Sequence, residues 1–551
     1  EENARFDLAL RSLQEMTVGT VRTDLGVLMA AVVLVLLVAA LNVGGLLLAR
    51  ATARGGEVAV RMALGGGRGR LAWQLVTESA VLGAVGGVLG ALLGRLGVAA
   101  MLTWAPAGTP RLDEVAMSGP ALLFALGAAA LSTLLFGAAP ALQLLRAPAL
   151  GLREGRGGGR AGARLRDGLV VIQVALALAL LVGAGLLGKS FWRLARVHPG
   201  FDVEHVLVAG LPVVDAEFAS MEERTDYLRE IQDRAAGLPG VTAAGLTNAV
   251  PFVSSGPWFS YELPEVETDP EALLLVRYRV VTPGLFEALG VPIVRGRALT
   301  DEDARADAER VTVVSEAFVE RHFPDGGPIG RLVRTSGETW RIVGVAADVL
   351  DGTLRQPSPA PHLYIALTPE TRQTMTLLLR TTGDPDAMVT PLRSLVREIS
   401  ATQPVTHTRP LEAFLADSVG RPRFLVGLLV FFAGATILLA GVGLYGLLAF
   451  NVGRRTREIG VRVALGAPQR KVRTMVVGEG LRLAAAGLVL GLVLSLWGGG
   501  FLASLLFGVD ARDPAILAGA AAGLFLVSAA AAWLPARRAT AIRPQEALGV
   551  E

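Results

Sequence analysis

RRTREIGVRVALGAPQRKV, residues 454–472, aligns with ARGGEVAVRMALGGGRGRL, residues 53–71, at an offset of 401. The alignment pairs Glu57 with Glu458, Arg61 with Arg462, and Gly65 with Gly466. Extended in both directions, it pairs 10–22 with 411–423 and Glu78 with Glu479. Similarity held at one fixed offset marks an internal duplication. Ahead of its 411–423 segment the second copy has an apolar run (168–188) and a long region, 197–420. The first copy starts just inside that boundary, and the first residue is Glu1. The expectation is an N-terminally incomplete chain that lacks the opening helix and outer domain of its first copy.

Working outward, the sequence is 52% hydrophobic, and its uncharged runs are long. Stretches 25–49, 117–145, 168–188, 424–453, 483–509 and 514–536 contain no charged residue. Each reaches the roughly 20 residues a helix needs to cross a bilayer. A further apolar stretch, 71–100, carries Glu78 and Arg95. Seven spans are predicted. The segments that join them on one side, 50–70, 146–167, 453–473 and 536–551, are rich in arginine, which assigns them to the cytoplasm. Region 197–420 carries a net charge of −13 and the remainder +16, within a total of +3. The acidic region is therefore placed outside. The basic excess flanks apolar spans instead of covering a soluble face, which argues against nucleic-acid binding.

The predicted fold is an α-helical transmembrane bundle of two homologous halves with one mixed α/β outer domain. Within that domain, 311–315 and 340–348 read as strands, and 315–323 and 225–238 as helices. The predicted division runs as follows. Residues 1–26 end a first outer domain, 27–145 form three spans around loop 50–70, and 146–167 are a flexible Arg/Gly linker. Residues 168–196 give the first span of the second half, 197–420 the outer domain, and 421–551 three more spans around loop 453–473.

Three features carry possible chemistry. In each copy of the duplicated segment a Glu and an Arg stand at i,i+4, Glu57 with Arg61 and Glu458 with Arg462, where they can pair on one helix face. Arg54 and Arg455 flank them. The physics fits either a juxtamembrane helix held to anionic headgroups or a docking helix. Glu78 and Glu479 sit one turn or two inside the third helix of each copy, where ionisable groups are costly and mark function by default, unless a nearby arginine such as Arg482 pairs with them. GAGLLGKS, 183–190, fits the pattern of a phosphate-cradling loop. It continues an uncharged run without a turn and falls at the outer end of a span, so Lys189 reads as a headgroup anchor. The GxxxG step Gly487–Gly491 fits close helix packing. The acidic run 301–303 reads as a solvated surface, and Trp258, Phe259 and Tyr261 as core.

Catalytic and metal constellations are not predicted. Cysteine is absent, and the five histidines are scattered without ligand spacing. No cofactor is expected.

The segment 454–472 resembles the cytoplasmic loop of the MacB/FtsX-type ABC transporter permeases. The tail PARRATAIRPQEALGVE (535–551) and the stretch 165–194 are similar to that family's ending and first transmembrane helix. Two fused copies most resemble its duplicated orphan permeases. The resemblance implies a coupling helix seated on a separate cytoplasmic ABC ATPase subunit, through Arg54, Glu57, Arg61, Arg455, Glu458 and Arg462. It also implies a MacB-like extracytoplasmic domain, a bacterial inner-membrane location, and mechanotransmission to cargo or to a partner outside. The first copy, GGEVAVRMALGGG, lacks the Arg-Thr that precedes Glu458 in the second. The rival readings are an FtsX-like regulator of a cell-wall hydrolase and a membrane NTPase using Lys189.

Overall fold

Apolar runs bounded by arginine form helices wherever a bilayer must satisfy every backbone group within one segment. The computed structural model describes residues 13–53, 61, 64, 67–104, 118–146, 158–196, 198–213, 218–254, 256–265, 274–305, 307–324, 326–351, 358–370, 374–465 and 468–540. The chain divides into two compact units. One comprises Glu1–Arg193 and Pro422–Glu551, the other Leu194–Arg421.

The first unit begins with α1 (Leu13–Ala53), α2 (Arg68–Trp104), α3 (Gly119–Arg146) and α4 (Gly158–Leu194). α4 starts ten residues before the apolar run at 168, so the linker expected to be flexible is helical from Gly158 onward. There Arg166 is buried, its guanidinium 4.8 Å from the centre of the Phe450 ring. Among the described residues, six helices are long and apolar enough to cross a membrane. The run expected at 117–145 is helical as α3, Gly119–Arg146.

The second unit is mixed α/β. It holds β1 (Val206–Leu211), α5 (Met221–Ala236), β2 (Val241–Thr247), β3 (Trp258–Glu262), β4 (Leu275–Val281), α6 (Leu285–Leu289) and β5 (Ile293–Gly296). Next come β6 (Val311–Ser315), α7 (Glu316–His322), β7 (Leu332–Thr335), β8 (Glu338–Ala346), β9 (Leu350–Asp351), β10 (Ser358–Pro359), β11 (His362–Ala366), β12 (Met375–Thr381), α8 (Val389–Ile399) and β13 (Thr406–Pro410). Pairing runs β11-β6-β8-β7-β3-β4-β2-β12-β1-β13, and a parallel β11–β4 ladder closes the first six strands into a ring. The four remaining strands pair antiparallel beyond β4, with α5 packed against β2. Ser220 caps α5 by accepting from Glu223 N, and Tyr227, Leu228, Ile231 and Ala235 form its buried face.

Two expectations within this unit need correction. Asp303 is not part of a solvated run: both its oxygens accept from Arg297, at 2.6 and 2.9 Å, and Oδ2 also accepts from Thr300 N and Oγ1. These contacts outweigh burial and hold its carboxyl below the usual range. Trp258, expected in the core, is half exposed beneath Arg277, whereas Tyr261 is buried.

Tyr261 and His322 share a hydrogen bond of 2.5 Å beside Phe318. Burial pushes the Tyr261 hydroxyl up to about 12 and lowers His322, with Arg321 adding to the second effect. A histidine with a lowered folded pKa binds fewer protons folded than unfolded, so it destabilises the fold as pH falls below its unfolded pKa of about 6.5. The melting temperature of the full chain's outer domain is therefore expected to fall on acidification from pH 7 toward 5. His322→Gln should flatten that slope, and an unchanged slope would contradict it.

The chain ends with α9 (Leu411–Arg454), α10 (Thr456–Ala464), α11 (Gln469–Leu502) and α12 (Pro514–Thr540). Within the membrane unit, α4 packs directly on α11. A Cβ on Gly487 would lie 2.6 Å from Val174 Cβ, and one on Gly491 would lie 2.8 Å from the Ala175 carbonyl. Small residues permit this approach where lipid supplies no hydrophobic drive between helices. Asn42 and Gln173 both donate to the Leu439 carbonyl at 2.7 Å, joining α1, α4 and α9 inside apolar surroundings. Leu123, Phe124, Trp497 and Phe501 remain exposed on the outer surface of this unit, as lipid-facing side chains do.

Candidate functional site

α9 and α10 meet at Arg455. Thr456 Oγ1 there bonds back to the Val452 and Gly453 carbonyls, and the chain turns into a nine-residue helix. Ile459 anchors that helix, 1% exposed among Val452, Val472, Val476 and Ala536. With Ile459 turned inward, the opposite face presents Glu458, Val461, Arg462 and Leu465, all exposed. These positions follow an i, i+3, i+4, i+7 spacing, the face a helix offers to a groove. Glu458 and Arg462 pair at 2.6 Å, each about half exposed, and Arg462 Nη1 reaches Met475 Sδ at 3.4 Å. An exposed pair of this kind contributes only about 0.3–0.5 kcal/mol, too little to explain the face by stability. Leu465 is 82% exposed, and its repeat partner Leu64 matches it at 82%.

Glu479 takes a partner other than the expected one. Arg482 Nε donates to the Gly478 carbonyl, while Glu479 accepts from Arg455 at 3.2 Å and Asn451 at 3.1 Å. The reason is geometric: the turn after α9 brings Arg455 against α11. Glu479 thus ties the root of α10 to the following span. In the first copy Arg61 donates to Gln74, which donates to Glu78 at 3.4 Å. Arg54 and Glu57 lie outside the described residues.

GAGLLGKS lies wholly within α4. Its backbone N–H groups serve the helix, so no cradle for phosphate exists, and the nucleotide reading fails on geometry. Lys189 is not a free headgroup anchor either, because its Nζ contacts Asp513 Oδ2 at 2.5 Å. Among the described residues, no cluster of metal-ligating side chains occurs.

Six described helices long and apolar enough to cross a membrane, in a chain that also carries a mixed α/β unit, fit a multi-pass membrane protein. The FtsX-like permease C-terminal model matches residues 29–149 and again 430–544, and the MacB-like periplasmic core domain model matches 168–395. The chain belongs to the MacB/FtsX-type ABC transporter permeases. It is 26% identical over 347 residues to the macrolide export ATP-binding/permease protein MacB of Hahella chejuensis, covering 58% of this chain and 50% of that protein. It is 24% identical over 391 residues to the uncharacterized ABC transporter permease YknZ of Bacillus subtilis, covering 70% and 94%. The chain thus spans half the length of the first relative and nearly all that of the second. The crystal structure of the periplasmic region of MacB from Actinobacillus actinomycetemcomitans also matches, at 9% identity over 40% of this chain and 94% of that one, with a TM-score of 0.28.

Sequence reasoning missed Asn42, Gln173 and Asp513. The amides carry no charge and passed unnoticed inside uncharged runs. Asp513 stands in a short polar loop, and nothing in its neighbourhood points to a lysine more than 300 residues away.

Proposed function

We propose that this chain is the transmembrane subunit of an ABC system and resembles the duplicated orphan permeases, its two homologous halves packing as a pseudo-dimer. ATP binding and hydrolysis occur on a separate cytoplasmic ATPase subunit, and the chain itself performs no catalysis. The observation that supports this best is α10, whose inner face is anchored by Ile459 while Glu458, Val461, Arg462 and Leu465 face outward. Arg54, Glu57 and Arg61 would serve in the same way in loop 50–70. Arg455 and Glu479 pass the docking motion into α11, and Glu78 is assigned the parallel place in α2.

On this reading the chain lies in the bacterial cytoplasmic membrane with 197–420 outside. ATPase closure tilts the helices and moves the outer domain, which acts on cargo or a partner for export or extrusion. The domain division is the one given by the repeat: 27–145 and 421–551 as permease halves, with 168–196 the opening span of the second. Co-purification with candidate ABC ATPase subunits tests this. Glu458→Lys with Arg462→Glu should lose the subunit, and retention would count against the docking assignment.

A further inference from the structure

GAGLLGKS has no nucleotide to bind, yet almost every small or polar residue in it has a specific neighbour. A Cβ on Gly183 would lie 3.6 Å from Leu502, and one on Gly185 would lie 3.0 Å from Ile516 Cγ2. The outer end of α4 thus rests against the end of α11 and the first turn of α12. Beyond the glycines the contacts become polar. Lys189 Nζ meets Asp513 Oδ2 at 2.5 Å, Phe507 N donates to Ser190 Oγ at 2.8 Å, and Arg193 Nη1 donates to the Gly508 carbonyl.

Positions 189, 190 and 193 fall within one arc of about 100° on a helix, so a single face makes all three contacts. Asp513 is held from its other side as well, because Oδ1 accepts from Ala515 N and Ile516 N at the start of α12. Gly508 takes φ +61, a conformation open to glycine, which shapes the loop there. Lys189 and Asp513 are 28% and 12% exposed and Ser190 is 5% exposed, so these contacts are shielded from solvent, while Arg193 is exposed. The Lys189 hydrogen bond holds the Asp513 carboxyl below its usual range.

We propose that Lys189, Ser190 and Arg193 form an outer clasp that binds the end of α4 to the 506–513 loop, so that α4 and the α11–α12 hairpin move as one body. Leu194, the last residue of α4, begins the second unit, so whatever the hairpin does is delivered to the chain entering that unit. The inference rests on the permease reading only for what is transmitted. The clasp itself requires no ATPase.

The chain contains no cysteine, so labels can be placed at will. Nitroxides on Trp192→Cys and Arg512→Cys, in the full chain in lipid nanodiscs, report the separation of the two elements. The parent is expected to give one narrow distance. Lys189→Met combined with Ser190→Ala should lose that narrow component, and so should Asp513→Asn. Asp513→Asn keeps an oxygen that can accept from Ala515 N and Ile516 N, so a monodisperse size-exclusion profile for that variant separates a broken clasp from a misfolded protein. A distance that stays narrow in the Lys189→Met, Ser190→Ala variant overturns the clasp. ATPase co-purification is expected to be unchanged in all these variants, so a parent that binds no ATPase removes the permease reading and leaves the clasp standing.

Discussion

Gly487→Leu is expected to abolish most of the folded, monodisperse protein recovered from membranes. A Cβ at this position would lie 2.6 Å from Val174 Cβ and 2.9 Å from the Val171 carbonyl. The second contact is backbone, so no rotamer change relieves it. Overpacking a well-filled site costs about 1–3 kcal/mol, and more where backbone must move. In a bilayer no other term compensates, since lipid tails are as apolar as the displaced leucine and the helices associate through close packing. Gly491→Leu should behave alike, because its Cβ would meet the Ala175 carbonyl at 2.8 Å. Gly498→Leu is the control. It lies on the same helix with nothing within 4 Å, and should leave yield and thermal stability unchanged. Equal recovery of the Gly487 and Gly498 variants by size-exclusion chromatography would contradict the α4–α11 packing.

The second large effect concerns the docking face. Glu458→Lys with Arg462→Glu reverses the two exposed charges and keeps an opposite-charge pair at i,i+4. The helix should therefore still form, held by Ile459 in its apolar seat. What changes is the pattern offered to a partner. Like charges brought together across an interface cost several kcal/mol, enough to lower affinity by at least about a hundredfold. Co-purification of the ATPase subunit should fall below detection, together with any stimulation of ATP hydrolysis by the permease. Expression and melting temperature should not move, because the exposed pair contributes only about 0.3–0.5 kcal/mol. Unchanged association would assign the Glu–Arg pair to the headgroup region instead.

The long apolar helices were legible because a bilayer imposes a length and an absence of charge that no soluble fold requires. The Glu458–Arg462 pair was legible for a different reason: i,i+4 spacing alone brings the two side chains together. Strands β6 and β8 followed from their β-branched runs, and α7 from its helical spacing and the Pro324 beyond it. Long-range choices were hidden. Glu479 has Arg482 one turn away, and local reasoning pairs them; the turn at Arg455 places a better donor on the other side. Lys189 read as a headgroup anchor because its partner lies in a loop at the far end of the chain. Asn42 and Gln173 escaped because a search for charge passes over amides, although both donate within the apolar interior. The closed ring of strands was beyond the sequence as well, since a parallel ladder between β4 and β11 joins segments some 80 residues apart.

The central claim is that the exposed face of α10 contacts an ATPase on the cytoplasmic side of the membrane. Leu465→Cys, introduced into this cysteine-free chain, tests it most directly by thiol cross-linking in intact membranes. Leu465 is 82% exposed at the end of that face. The account predicts a cross-link to an ABC ATPase subunit, lost in the Glu458→Lys, Arg462→Glu background, and no reaction with a membrane-impermeant thiol reagent added from outside. Labelling of Leu465→Cys from the outside, or the absence of any ATPase adduct where the subunit is present, would contradict it.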